Sequence, residues 1–475
     1  MNDASGTPKI SLYDLIVVGA GSAGFSASIT AADAGKRVAL IGHGTIGGTC
    51  VNVGCVPSKA MIRAGEAIHA AHAASRFPGV SGQAKLHDWA ALVAAKDELV
   101  QTLRQKKYAD LLPSYELVDY FDEGAAQLVE GGVKIGSRVI KAPKIIIATG
   151  GRPTLPPIKG IEQVPTLDST SLLELKEKPR SLIFIGGGYI GAELAQMMRR
   201  MGVEVTVVCR SRLLPGAEPE VSDALTEIFR AEGIEIHCGV SYDVVSEDAD
   251  GITLRVKKDG KPLELNAEKL VVTAGRRANT DGMGLEEMGI ELDQRGAIII
   301  DDDMQTSRPG VYAAGDVTDR DQFVYMAAYG AKLASRNAVL GETNRYDNAT
   351  MPWVVFTDSQ VAGVGLSEAE ARAAGHEVKT SVLTLDNVPR ALAARDTRGL
   401  IKLVADAKSD LLLGGQIIAP EGSDTIQTLA MALSFGMTTK ALGQTIMPYL
   451  TTVEGLKLAA QTFDMDVAKL SCCAG

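Results

Sequence analysis

Two stretches of this chain follow one plan. Tyr13–Gly42, "YDLIVVGAGSAGFSASITAADAGKRVALIG", reads as an apolar strand, a glycine turn, an alanine-rich helix and a second apolar strand. Ser181–Arg210, "SLIFIGGGYIGAELAQMMRRMGVEVTVVCR", repeats it. A glycine stops each helix, Gly35 in the first and Gly202 in the second. Such a unit feeds a parallel sheet covered by helices on both faces. The repeat therefore predicts an α/β protein with two Rossmann-like dinucleotide-binding domains. The 475 residues leave room for a third domain, at ~150 residues each.

The glycines carry the chemistry. Gly19, Gly21 and Gly24 in the first repeat, and Gly186, Gly188 and Gly191 in the second, have the G-x-G-x-x-G spacing. Glycine lets the backbone turn tightly and approach a pyrophosphate, whose charge then sits at a helix N-terminus. An acid that holds a ribose hydroxyl is expected at the end of the second strand. In the first repeat that position is Gly42, followed by His43, so one anchor is missing while the phosphate site remains. In the second repeat it is the run Cys209, Arg210, Ser211, Arg212. With no carboxylate to repel a 2′-phosphate, and two guanidiniums to bind it, this end favours NADPH over NADH. Cys209 and Cys238 read as buried apolar residues.

A helical stretch from about Ser58 to Leu112 follows the first repeat. Short β-like runs then end in "KIIIATGGRP" (Lys144–Pro153), which contains Gly150, and Pro153, Pro156 and Pro157 mark a linker. The second repeat closes with "LVVTAGRRANT" (Leu270–Thr280), and "TSRPGVYAAGDV" (Thr306–Val317) is a further strand running into glycine. From Met351 the fingerprints are gone and mixed strand and helix follows. The expected division is 1–152 with 276–350 for the first nucleotide domain, 153–275 for the second and 351–475 for an α+β domain.

A formal net charge of −10 and the absence of a basic stripe argue against nucleic acid as partner. No apolar run reaches the ~18 residues of a membrane helix. "LIVVGAG" (Leu15–Gly21) lacks the flanks of a signal peptide. These features predict a cytoplasmic protein with reduced thiols, in which paired cysteines point to redox or metal chemistry.

Such a pair lies in "GGTCVNVGCVPSK" (Gly47–Lys59), where Cys50 and Cys55 are spaced C-x4-C. In one continuous helix their Cα atoms would be about 8–9 Å apart, beyond the roughly 4.4–6.8 Å that a disulfide spans. The segment must bend, and Gly54 and Pro57 are the candidates. The glycines before it place the thiols near a helix N-terminus, where thiolate is favoured.

That motif, set between two nucleotide folds, resembles the flavin-dependent pyridine nucleotide–disulfide oxidoreductases, whose fold is the glutathione reductase-like one. The resemblance covers essentially the whole chain. It implies FAD on the first fingerprint, the nicotinamide cofactor on the second, and a homodimer built through the last domain. Cys55 is then the thiolate against the flavin and Cys50 the outward thiol, with Lys59 and Glu193 paired beside the flavin's reactive nitrogen. Asp316 holds the ribityl chain, Val324 contributes backbone, and Gly44, Thr49 and Ala126 line the rest of the site. Tyr189 covers the flavin and moves aside for nicotinamide. Without an acid at Gly42, the flavin is expected to exchange more easily.

The disulfide reductases of the family carry a proton-shuttling His in an H-P-x-x-x-E pattern. The matching stretch here is "MPYLTTVEG", which keeps Glu454 but has Tyr449 at the His position, and no histidine lies beyond His376. A phenol with an ordinary pKa of about 10 shuttles protons poorly at neutral pH. The chain instead ends in "AKLSCCAG", with Cys472 and Cys473. Soft thiolates select soft metals. That ending and Tyr449 are similar to those of the mercuric reductase branch. This implies reduction of Hg(II) to Hg(0) by NADPH, with small-molecule thiol complexes of Hg(II) as substrate. Cys472 and Cys473 of one subunit would pass the ion to Cys50 and Cys55 of the other, flanked by Tyr189 and Tyr449. The few residues before the first strand contain no cysteine, so the resemblance is to the catalytic core. The alternative is a disulfide reductase of the dihydrolipoamide dehydrogenase kind; a protein that merely stores soft ions would need no nucleotide folds.

Overall fold

The computed structural model describes residues 12–469. Two compact units emerge, one containing the chain up to Ser58 with Ala91–Thr154 and Gly275–Asp347, the other Lys59–Ala90, Leu155–Ala274 and the chain from Asn348 onward.

In the first unit, β1 (Leu15–Val18) leads into α1 (Ser22–Asp33) and β2 (Val38–Ile41). The sheet is completed by β3 (Val118–Phe121), β4 (Lys144–Ile147) and Val311–Ala313. Every pairing is parallel, in the order Val311–Ala313, β4, β1, β2, β3. All four residues of β1 and of β2 are buried, as a parallel sheet covered on both faces requires. Each large aliphatic side chain so buried stabilises the fold by about 1.5–3 kcal/mol. Between β2 and β3 come α2 (Gly48–Asn52) and α3 (Cys55–Ala73), the latter running on into the second unit. A three-stranded antiparallel sheet spanning 126–141 precedes β4.

The second unit repeats this layout. β5 (Ser181–Ile185), α4 (Tyr189–Arg200) and β6 (Glu204–Cys209) are followed by β7 (Glu235–Cys238) and β8 (Lys269–Val272). The parallel order is β7, β6, β5, β8, Thr166–Leu167, and an antiparallel three-stranded sheet spanning 240–267 precedes β8.

The same unit holds a five-stranded antiparallel sheet, Trp353–Val355, Gln360–Gly365, Leu412–Ala419, Leu400–Asp406 and Val378–Thr384, packed by Gly422–Ser434 and Glu454–Gln461. A buried ammonium, Lys402, ties this sheet to the nucleotide fold through Glu218 at 3.0 Å and Glu220 at 2.9 Å. Removing Lys402 would leave the buried Glu218 carboxylate uncompensated, which is strongly destabilising. Among the described residues no helix is long and apolar enough to cross a membrane.

Candidate active site

Both fingerprints form the same cradle. Gly19 and Gly186 sit at φ +119° and +117°, where an added Cβ would lie 2.2 Å from the Ala148 carbonyl oxygen and 2.6 Å from that of Thr273. At the third glycines the helix crosses its own turn so closely that a Cβ on Gly24 would fall 1.7 Å from the Gly19 oxygen, and one on Gly191 2.3 Å from the Gly186 oxygen. The middle glycines face open space: a Cβ on Gly188 meets nothing within 4 Å, and one on Gly21 meets only the Gly48 Cα, at 3.5 Å. Gly21 and Gly188 are the N-caps of α1 and α4, where no side chain caps the helix and no acid stands in the first turn. The leading N–H groups are left to an outside anion, the requirement of a pyrophosphate.

The ends of the second strands differ. At Gly42 a Cβ would lie 2.3 Å from the hydroxyl oxygen of Tyr120, which stands on the neighbouring β3. The space that an acidic side chain would enter is already filled by a phenol, and sequence reading missed it because the neighbour comes from a strand nearly eighty residues away. Burial, chiefly, and the charge of Asp122 hold the Tyr120 phenol protonated. In the second repeat Arg210 is exposed, whereas Arg212 donates to the carbonyls of Ala217 at 2.6 Å and Pro215 at 3.2 Å. Cys209 and Cys238, expected as separate apolar residues, instead face each other, with sulfurs 2.6 Å apart.

The redox-motif segment is two helices, not one. α2 ends before Val53, and Gly54 folds the chain back so tightly that a Cβ there would lie 3.3 Å from the Cys50 Cα. The bend is thus at Val53–Gly54, while Pro57 sits in the first turn of α3, where its missing N–H costs nothing. The Asn52 amide pins the fold-back, donating to the carbonyls of Ile46 and Gly48 at 2.9 and 2.8 Å and accepting from Arg104 at 3.2 Å. Cys55 is the first residue of α3, exposed at the positive end of the helix, and Cys50 is half-buried on α2 beside the exposed Thr49.

One turn along α3, Lys59 pairs with the buried Glu193 of α4 at 2.7 Å. Glu193 also accepts the Phe356 N–H at 2.8 Å, and the Lys59 ammonium lies 4.8 Å from the centre of the Phe356 ring. Tyr189, the first residue of α4, stacks on Trp353 with centroids 5.5 Å apart, and burial pushes its phenol up to about 12. Phe356 and Trp353 carried no sequence signal; they reach this place through the antiparallel sheet.

Asp316 follows the fifth strand of the first sheet, mostly buried, with the Arg276 guanidinium at 4.0 Å. Burial, chiefly, raises its carboxyl above the usual value. Gly150 lies between β4 and Gly151–Pro153, Gly44 in the loop after β2, Ala126 at the start of an antiparallel strand, and Val324 opens the helix Val324–Leu340. Tyr449 is 56% exposed, and Glu454, buried, accepts the Leu450 N–H at 3.1 Å. Cys472 and Cys473 lie outside the described residues.

These folds and cradles define a two-nucleotide oxidoreductase with a thiol pair. The chain belongs to the pyridine nucleotide-disulphide oxidoreductase family, whose model matches residues 13–334 and whose dimerisation domain matches residues 351–460. Within it the chain groups with mercuric reductases. It is 45% identical to that of Bacillus cereus over 98% of this chain and 73% of the relative, and 43% identical to that of Streptomyces lividans over 98% of both. Among solved structures it is similar to the HOCl-induced flavoprotein disulfide reductase RclA of Escherichia coli (TM-score 0.82, 29% identity, 94% of this chain and 99% of that one). It is also similar to LpdA of Mycobacterium tuberculosis (TM-score 0.83, 25% identity, 96% and 100%).

Proposed function

We propose that this chain is an NADPH-dependent, FAD-containing mercury(II) reductase that converts Hg(II) to Hg(0). The observation that carries this reading is a fold-back thiol pair, Cys50 and Cys55, accompanied by the phenol of Tyr449 where a disulfide reductase needs an imidazole. FAD bound on the first cradle would supply two-electron chemistry between NADPH and the thiol pair. Gly19, Gly21 and Gly24 with the α1 N-terminus bind its pyrophosphate, Asp316 takes a polyol hydroxyl, and Gly44, Thr49, Ala126, Gly150 and Val324 line the rest. Lys59, fixed by Glu193, places positive charge beside the flavin. Gly186, Gly188 and Gly191 bind the nicotinamide dinucleotide, and Arg210 and Arg212 attract its 2′-phosphate. Tyr189, stacked on Trp353, covers the ring site until nicotinamide arrives.

Cys50 and Cys55 hold Hg(II) as a two-thiolate complex while it takes up the electron pair, a step that needs no proton shuttle. Cys472 and Cys473 strip the ion from small thiols by ligand exchange and hand it to Cys50 and Cys55 of the opposite subunit of a homodimer, with Tyr449 alongside. Phe435 and Ile446, 76% and 96% exposed within the matched dimerisation segment, are apolar surface suited to such an interface. A thiol-reducing compartment, the cytoplasm, keeps all four cysteines ready for metal. A dihydrolipoamide dehydrogenase-like activity would demand a proton donor that Tyr449 does not supply.

The deciding assay follows NADPH oxidation with Hg(II) in excess thiol, together with release of mercury vapour. The expected outcome is oxidation matched by volatile mercury. Oxidation with an organic disulfide but not with Hg(II) would replace this reading with the disulfide reductase, and binding without oxidation would leave only a metal store.

A further inference from the structure

The second nucleotide fold contains a thiol pair that the reaction above does not use. Cys209 ends β6 and Cys238 ends β7, and the parallel register sets them directly opposite each other. Neighbouring strands lie about 4.8 Å apart, within the roughly 4.4–6.8 Å between Cα atoms that a disulfide accepts. The sulfurs already face each other at 2.6 Å, with the Cys209 thiol donating to the Cys238 sulfur. Both residues are reduced.

The two thiols are unequal. Cys209 is 4% exposed and Cys238 is half-buried. The hydrogen bond from Cys209 favours the Cys238 thiolate, helped by the Leu213 backbone and the charges of Lys258 and Arg230. The same hydrogen bond, with burial, holds Cys209 protonated. This is the arrangement of an attacking thiolate beside a resolving thiol.

The pair also underlies the fingerprint. A Cβ on Gly187 would lie 3.2 Å from the Cys209 Cβ and 3.3 Å from its sulfur, so the turn rests on this side chain. The Leu214 N–H bonds the Gly187 carbonyl at 2.7 Å, linking the same turn to the loop that carries Arg210 and Arg212.

We propose that Cys209 and Cys238 form a peroxide-sensitive dithiol that closes to a disulfide and loosens the nucleotide site above it. The Cys238 thiolate attacks a hydroperoxide, breaking the O–O bond, and becomes a sulfenic acid with release of an alcohol or, from hydrogen peroxide, of water. The Cys209 sulfur then attacks the sulfenic sulfur, and the hydroxyl leaves with the thiol proton as a second water. Two thiols are oxidised by two electrons, and one peroxide is reduced. A thiol reductant reverses the change. The coupling to NADPH rests on the function proposed above, but formation of the bond does not.

The test treats the holoenzyme with hydrogen peroxide, quenches it and maps disulfide-linked peptides by mass spectrometry, with NADPH saturation measured in parallel. The expected result is a Cys209–Cys238 crosslink with a loss of two hydrogen atoms and a raised NADPH KM, both reversed by dithiothreitol. In Cys209→Ser, Cys238 should pass to the sulfinic acid; in Cys238→Ser, Cys209 should stay reduced. The crosslink is read on the unaltered chain, so a poorly folding variant does not remove the test. No crosslink, or a crosslink that leaves the KM unchanged, overturns the proposal. A reduced enzyme that never oxidises NADPH would count against the function instead, and the peptide map would still report the bond.

Discussion

The chain contains the same sheet twice, and the two copies differ where it matters. In both, the third strand lies outside the second, the first is central, and an antiparallel three-stranded sheet precedes the fourth strand. Both cradles leave a Cβ no room at the first and third glycines, and both leave the helix N-terminus uncapped. The divergence begins one residue beyond the second strand. One copy has Gly42 under the Tyr120 phenol, and the other has Arg210 beside a cysteine pair. It recurs after the edge strand that flanks the fourth, Val311–Ala313 in the first sheet and Thr166–Leu167 in the second. Asp168 spends its carboxylate on its own helix, accepting the N–H groups of Thr170 and Ser171 at 2.9 and 2.8 Å, whereas Asp316 has a guanidinium at 4.0 Å and burial around it. A shared glycine skeleton binds any dinucleotide, and the residues just past the strand ends decide which one.

The largest effect should come from filling the skeleton itself. Gly24→Ala and Gly191→Ala each drive a methyl into a carbonyl, at a cost of about 1–3 kcal/mol or more by overpacking. If the copies act independently, the first variant purifies colourless, without flavin absorbance. The second stays yellow but does not oxidise NADPH. Loss of flavin from Gly191→Ala would instead mean that the second cradle supports the first.

The aspartates differ between the copies with smaller consequences. Asp316→Asn should weaken flavin binding by about 10- to 150-fold, the equivalent of one charge-assisted hydrogen bond at about 1.5–3 kcal/mol. Asp168→Ala should leave the flavin alone and cost about 1 kcal/mol of stability through the lost cap. The pH dependence of the apoprotein separates them further. Burial raises the Asp316 carboxyl above 3.8, so its protonated form favours the fold. That contribution is complete below the unfolded-state value and is lost as pH rises through the folded-state value. Flavin-free Asp316→Asn should therefore melt higher than the parent at neutral pH and converge with it in acid. Equal melting at both pH values would show that the carboxyl is solvated.

How much of this was legible follows from the range of each signal. The strand–turn–helix–strand repeats are local, and they carried the α/β class, both sheets and both helix stops. The bend between Cys50 and Cys55 followed from the reach of a disulfide, although Val53–Gly54 makes it and Pro57 rides in the next helix. Tyr120, Trp353 and Phe356 were not legible, because each reaches its place through a strand pairing set by the whole sheet. Cys209 and Cys238 looked like two unrelated apolar residues for the same reason: only the parallel register of β6 with β7 makes them partners. Pairing chemistry is hidden in sequence whenever register, rather than spacing, brings the atoms together.

The smallest effect tests the departure at Gly42. The missing acid alone would imply a loosely held flavin, but the Tyr120 hydroxyl occupies the same volume and stays protonated, able to donate where a carboxylate would accept. Tyr120→Phe keeps the ring and removes one neutral hydrogen bond, worth about 0.5–1.5 kcal/mol, so the flavin dissociation constant should rise about 2- to 10-fold. Gly42→Glu on its own should not tighten binding, since its Cβ is built onto the phenol; the acid needs Tyr120→Ala beside it to gain room. Flavin titration of the three apoproteins reads this directly. Tighter binding by Gly42→Glu alone would mean that the phenol swings clear at little cost, and the first copy would then be an ordinary acid-anchored site that happens to lack its acid.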